Sequence, residues 1–154
     1  VNLFEQLTVI DIFRLLPLIV IFFYAGYKDH KTGEVTNKIW LYAPVGFTIA
    51  LTEIVFYASN MLIFDFISLI VCVIIALVLF YIPHGWGGAD AKALITLAMC
   101  YPVAPAYQAW LPLYPMLIFG VASAIAVAMM IFRKQKTIRF LPYLFIAMII
   151  VAVI

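Results

Sequence analysis

Asp29 and Asp90 are the residues whose chemistry stands out from an otherwise apolar chain. Asp29 closes one hydrophobic run and leads into His30-Lys31-Thr32-Gly33-Glu34-Val35-Thr36-Asn37. Asp90 opens another and follows Pro83-His84-Gly85-Trp86-Gly87-Gly88-Ala89. Two carboxyl groups held close together can hydrolyse a peptide bond. The ionised one takes a proton from the attacking water, and the protonated one donates to the carbonyl oxygen or the leaving nitrogen. Mutual repulsion drives their pKa values apart and divides the roles, although the titration belongs to the pair. The glycines before Asp90 let another backbone approach closely. An extended peptide could bind there through backbone hydrogen bonds, as in strand addition.

The elements that must position these carboxyl groups are hydrophobic helices. The chain has 154 residues, 68% hydrophobic and only 10% charged, too few charges to coat a water-soluble domain. A lipid bilayer is the solvent that suits such a surface. The slight net positive charge comes with no basic stripe and interleaved aromatics, so nucleic acid is excluded as a partner. Cys72 and Cys100 lie far apart in apolar runs, with neither disulfide nor metal spacing.

Six apolar runs predict an all-α, polytopic bundle of six transmembrane helices. They cover about Ile12 to Tyr27, Ile39 to Tyr57, Met61 to Ile82, Asp90 to at least Tyr101, Pro112 to Phe132, and Pro142 to Ile154. Pro102 and Pro105 interrupt the fourth run. The sixth is short for a full span, so it either ends thin or continues in a longer chain. The linkers are too short to fold alone, which predicts one domain over residues 1–154. If every run spans, Lys28, Lys31, Lys38, Lys92, Arg133, Lys134, Lys136 and Arg139 share one face, eight of the nine basic residues. The positive-inside rule makes that face, with Asp29 and Asp90, cytoplasmic.

Three further charges lie within the runs: Arg14, Glu53 and Asp65. Counted along the helices, they reach similar depths toward the outer face, which predicts an ion cluster that neutralises itself between helices. From the residues alone, several functions stay open. Asp29 also fits a solvated loop or helix end, and Asp90 a helix N-cap. His30 and His84 could join the aspartates as metal ligands, though at no helical ligand spacing. A polar path through Arg14, Glu53 and Asp65 would suit a transporter, but the intervening turns are apolar.

Gly87-Gly88-Ala89-Asp90-Ala91-Lys92 resembles the G-x-G-D-x-K motif of type IV prepilin peptidases and archaeal preflagellin peptidases. Asp29 to Asn37, read as D-x-x-x-G-x-V-x-N, resembles the first aspartate motif of that family, and Arg139-Phe140-Leu141-Pro142 its proline-containing segment. The resemblance implies a cytoplasmic-face aspartyl endopeptidase that removes a short leader from pilin-like or flagellin precursors, without metal or other cofactor. It implies Asp29 and Asp90 as the catalytic pair. It places Gly87, Gly88, Ala89, Lys92, Asn37 and Pro142 around the site as shaping or substrate-binding residues. Ala89 in place of the glycine before the aspartate fits the archaeal variants, and Thr36 stands where bacterial members often have proline. The four-cysteine segment of some bacterial members is absent, which implies cleavage without methylation. A presenilin-like protease uses a similar motif but would hold both aspartates deeper in the bilayer, whereas Lys28, Lys31 and Lys92 argue for the surface.

Overall fold

The computed structural model describes residues 9–57, 62–81, 87–100, 114–134 and 138–153. Among the described residues there are six helices: α1 (Val9–Thr32), α2 (Tyr42–Tyr57), α3 (Leu62–Tyr81), α4 (Gly88–Cys100), α5 (Tyr114–Arg133) and α6 (Leu141–Val153). A 3-10 turn, Asn37–Leu41, leads into α2, and there is no strand among the described residues. The fold is all-α.

Local chemistry explains where the helices depart from the apolar runs. The first helix does not stop at Tyr27 but continues to Thr32, so Asp29 lies within its last turn rather than in a loop. It ends at Gly33, which takes the left-handed conformation (φ +74°) and donates its N–H to the Asp29 carbonyl at 3.0 Å. That is the left-handed helix cap, and glycine adopts it without strain. The second run starts as a 3-10 turn, with α-helix only from Tyr42. The fourth helix ends at Cys100, and the prolines expected to interrupt it, Pro102 and Pro105, lie outside the described residues. Pro142 falls in the first turn of α6, where its missing N–H forfeits no intrahelical bond.

The core is organised around α4. Ala91, Ala93, Leu94, Thr96, Leu97, Ala98 and Cys100 of this helix are buried, and it packs on α1, α2, α3 and α5. Alanines on a central helix let neighbouring backbones come close. On the other side α6 packs on α1 and α5, burying Leu141, Leu144, Ala147, Met148 and Val151. The contact of α2 with α4 is tightest where Gly46 faces Cys100, whose thiol also reaches the Ala43 carbonyl.

Large apolar side chains cover the outside. Phe13, Val20 and Phe23 of α1, Ile70, Ile74 and Leu77 of α3, and Val127, Ile131 and Phe132 of α5 are all exposed. Among the described residues one helical stretch, Pro115–Arg133, is both long and apolar enough to cross a membrane. Leu69–Tyr81 and Leu141–Val151 are shorter apolar stretches. The 13 residues of α4 and of α6 extend only about 20 Å each, less than a bilayer core.

Arg14 is buried, and its Nε donates to the Cys100 carbonyl at 3.3 Å, while the Tyr42 hydroxyl donates to the Arg14 carbonyl at 3.2 Å. The Arg14 side chain therefore ties α1 to the end of α4, and its backbone carbonyl ties α1 to the start of α2. The expected partners Glu53 and Asp65 have side chains outside the described set.

A Cβ at position 46 would overlap the Cys100 sulfur. Gly46→Ala should thus destabilise the fold by about 1–3 kcal/mol, seen as a lower unfolding temperature in detergent. Adding Cys100→Ala should recover part of the loss. An unchanged unfolding temperature in the single variant would contradict this packing.

Candidate active site

Asp90 sits at the third position of α4, with Gly87 as the residue before the helix. Its carboxylate Oδ2 accepts the Gly87 N–H at 3.0 Å. The Gly87 carbonyl in turn accepts the N–H groups of Asp90 (3.0 Å) and Ala91 (3.3 Å). The carboxylate thus reaches back as the acid of a capping box does, and Asp90 is not itself the N-cap. Gly88 lies under the Phe80 ring of α3, which approaches within 3.4 Å of where a Cβ would stand. Ala89, in the same first turn, is partly buried.

Asp29 is held from the far end of the chain. The Leu141 N–H, at the start of α6, donates to its carboxyl group. Arg139 Nη1 donates to the Asp29 carbonyl at 2.6 Å and also to the His30 carbonyl. One guanidinium therefore caps the last carbonyls of α1, where a cation also meets the negative end of the helix dipole. Gly26, about one turn before Asp29, makes the approach possible. A Cβ there would meet the Pro142 Cα at 3.2 Å. Gly33 does the same for Arg139, whose guanidinium passes 3.4 Å from its Cβ position.

The two carboxyl groups are close enough for their charges to interact; Asp29 follows the first apolar run and Asp90 stands at the very start of the fourth. Burial pushes the Asp90 pKa up to about 6. The Gly87 N–H opposes the rise, and the negative charge of Asp29 adds to it. Burial also raises Asp29, opposed by the Leu141 N–H and by the positive charges of Arg139 and His30. At an intermediate pH such a pair keeps one proton, with one oxygen able to accept and another to donate.

Asn37 and Lys92 also meet. Lys92 Nζ donates to Asn37 Oδ1 at 2.6 Å, tying the 3-10 turn to the first half of α4. Of the two histidines, His30 lies in the last turn of α1 beside Asp29, and His84 lies outside the described residues. Among the described residues no group of three or more His, Cys, Asp or Glu is placed to hold a metal.

The model of the type IV leader peptidase family matches residues 16–154. The chain belongs to that family. No curated protein and no solved structure gives a significant match. Membership makes this chain a protease of the leader peptidase type, with pilin-type precursors as its general substrate class. The motif spacing of the leader peptidase now has a physical reason. In D-x-x-x-G, Gly33 stops the helix four residues after Asp29, which leaves the carboxyl group in the final turn. The asparagine closing that motif and the lysine closing the other bond directly to each other.

Two participants escaped the candidate set drawn from the sequence. Arg139 and the Leu141 N–H contact Asp29 across a separation of more than a hundred residues. The sequence marked their segment, Arg139 to Pro142, by its resemblance to the family's proline-containing segment, but of it only Pro142 was among the candidate residues.

Two measurements check this geometry. Asp29→Asn removes one cause of the raised Asp90 pKa and leaves the larger one, burial. Carboxyl NMR should find Asp90 titrating below about 6 yet above the ordinary carboxylate range. Arg139→Leu should cost about 1–3 kcal/mol and speed amide exchange over residues 29–33, since the carbonyls of Asp29 and His30 lose a charged donor. Equal exchange in the two proteins would show that the α1 end does not depend on Arg139.

Proposed function

We propose that this chain is a multi-pass membrane aspartyl endopeptidase, a single domain over residues 1–154. It removes the short leader from pilin-like or flagellin precursors at the cytoplasmic face of the plasma membrane. Asp29 and Asp90 are its catalytic pair. The observation that carries the reading is the pairing of two partly buried carboxyl groups, contributed by different helices, whose charges act on each other.

In this mechanism the dyad holds one proton. The ionised carboxylate takes a proton from water as the water oxygen attacks the scissile carbonyl carbon. The protonated carboxyl gives its proton to the carbonyl oxygen. Collapse of the tetrahedral intermediate breaks the C–N bond, and the departing nitrogen collects the second proton. Gly87, Gly88 and Ala89 keep the approach to Asp90 low enough for an extended peptide. Asn37 and Lys92 hold the floor of the site, and Pro142 shapes the α6 entry against Gly26.

Two further features support the membrane reading. Exposed apolar side chains cover α1, α3 and α5, as lipid solvation requires. Lys28, Lys31, Lys38, Lys92, Arg133, Lys134 and Arg139 all lie on the linkers and helix ends that also carry the aspartates. The positive-inside rule makes that end cytoplasmic.

Purified protein mixed with a pilin-like or flagellin precursor should release its leader, detected by mass. Asp29→Asn or Asp90→Asn should slow release by about a thousandfold or more with the helices intact, and Lys92→Ala should slow it less. Normal processing by either aspartate variant would refute the dyad. The pH dependence carries a second test. The proton on Asp90 is lost as the pH rises through about 6, so kcat/KM should fall above that point, about tenfold per pH unit. The same sign holds for stability. The raised pKa favours the folded chain at low pH, and that contribution is lost as the pH rises through about 6.

A further inference from the structure

The segment ahead of α6 treats the two aspartates unequally. Its Leu141 N–H donates to the Asp29 carboxyl group. Its Arg139 Nη1 donates to the Asp29 and His30 carbonyls, which holds the guanidinium charge beside that carboxyl group. Asp90 receives the Gly87 N–H instead, and the charge acting on it is the negative one of Asp29.

The placement of Arg139 is built into the packing. Phe140, next in sequence, is buried against Phe119 of α5, with ring centroids 4.9 Å apart. The Phe140 carbonyl accepts the Tyr143 N–H at 2.9 Å. The exposed Arg139 side chain therefore leaves an anchored backbone and reaches the end of α1 across Gly33, 3.4 Å from its Cβ position. Three neighbouring lysines interact elsewhere. Lys28 lies over the Tyr24 ring, 6.0 Å from its centroid, Lys31 donates to the Tyr27 hydroxyl at 3.5 Å, and Lys92 donates to Asn37. The charges acting on Asp29 are those of Arg139, of His30 on its own helix, and of Asp90 on α4.

We propose that Arg139 is a positioning residue of the peptidase: with the Leu141 N–H it makes Asp29 the carboxylate that accepts a proton from water, and so leaves Asp90 as the acid. The proton belongs to the pair, but a cation and an N–H beside one carboxylate draw the negative charge to that side. Burial raises the pKa of both groups. Arg139 and His30 oppose the rise at Asp29, whereas the neighbouring charge adds to it at Asp90. Asp29 then takes a proton from water as the water oxygen bonds to the scissile carbon, and Asp90 gives its proton to the carbonyl oxygen. As the C–N bond breaks, the nitrogen takes the proton held by Asp29, and a hydroxyl of the intermediate returns one to Asp90. The inference rests on the peptidase reading above and adds the source of its asymmetry.

The test follows leader release from a pilin-like precursor against pH, for the native protein, Arg139→Gln and Arg139→Lys. The first variant keeps an N–H donor for the two carbonyls and removes the charge, and the second keeps the charge. In the native protein kcat/KM should rise with pH as Asp29 ionises and fall again as Asp90 loses its proton. Without the cation, Asp29 holds its proton to higher pH. Arg139→Gln should therefore lose about three- to tenfold more activity on the acidic limb than at the optimum, and Arg139→Lys should follow the native limb. Carboxyl NMR, which needs no substrate, should find Asp29 titrating at higher pH in Arg139→Gln than in the other two proteins. An equal loss of activity at every pH would leave Arg139 a purely structural role, and a raised KM with the limb unmoved would make it a substrate contact. Either result overturns the proposal, as does an unmoved Asp29 titration. No release by the native protein would overturn the peptidase reading together with this role, whereas release with the acidic limb unmoved overturns this role alone.

Discussion

Burying two carboxyl groups near each other is unfavourable, and this end of the bundle is arranged to tolerate it. Each carboxyl group receives a backbone N–H from the start of a helix: Gly87 at α4 for Asp90, and Leu141 at α6 for Asp29. A helix start offers unsatisfied N–H groups and the positive end of the helix dipole. Such donors stabilise negative charge without neutralising it as a bound cation would. Both pKa values still rise, because burial outweighs these bonds. The pair is thus left close to the point where it shares a proton.

Keeping the donors in place requires close backbone approach at several glycines. Gly26 admits the first turn of α6, Gly33 ends α1 and passes under Arg139, and Gly88 lies under Phe80. Arg139 reaches the backbone of Asp29 and His30, so it fixes the helix end that carries the aspartate. The buried Arg14 does comparable work at the other end of the bundle, joining α1 to the last carbonyl of α4. Arg14 and Arg139 both bond carbonyls at helix ends, where backbone groups lack intrahelical partners.

α4 turns different residues to different neighbours. Its first turn presents Asp90 toward α1, and the face carrying Lys92, Ile95 and Thr96 looks onto the 3-10 turn and the start of α2. The bond between Lys92 and Asn37 fixes the position of α4 relative to the 3-10 turn. Thr96 bonds its own helix, to the Lys92 carbonyl at 2.8 Å, which satisfies a hydroxyl that would otherwise be buried without a partner.

The sequence by itself determined the all-α class, the order of the helices and the two aspartates with their flanking glycines. These are local signals: long apolar runs, the helix stop at Gly33, and a glycine-rich approach to Asp90. Helix ends were read less well. Polar residues such as Lys28 and Thr32 continue a helix as readily as they leave it, and hydropathy does not register the difference. Tertiary structure alone decided that Arg139 and Leu141 hold Asp29, that Lys92 meets Asn37, and that Trp40 forms the wall of a cavity. Those contacts join residues dozens to more than a hundred positions apart. Nothing in a local pattern encodes which face of one helix meets which end of another. That choice is made only when the helices pack.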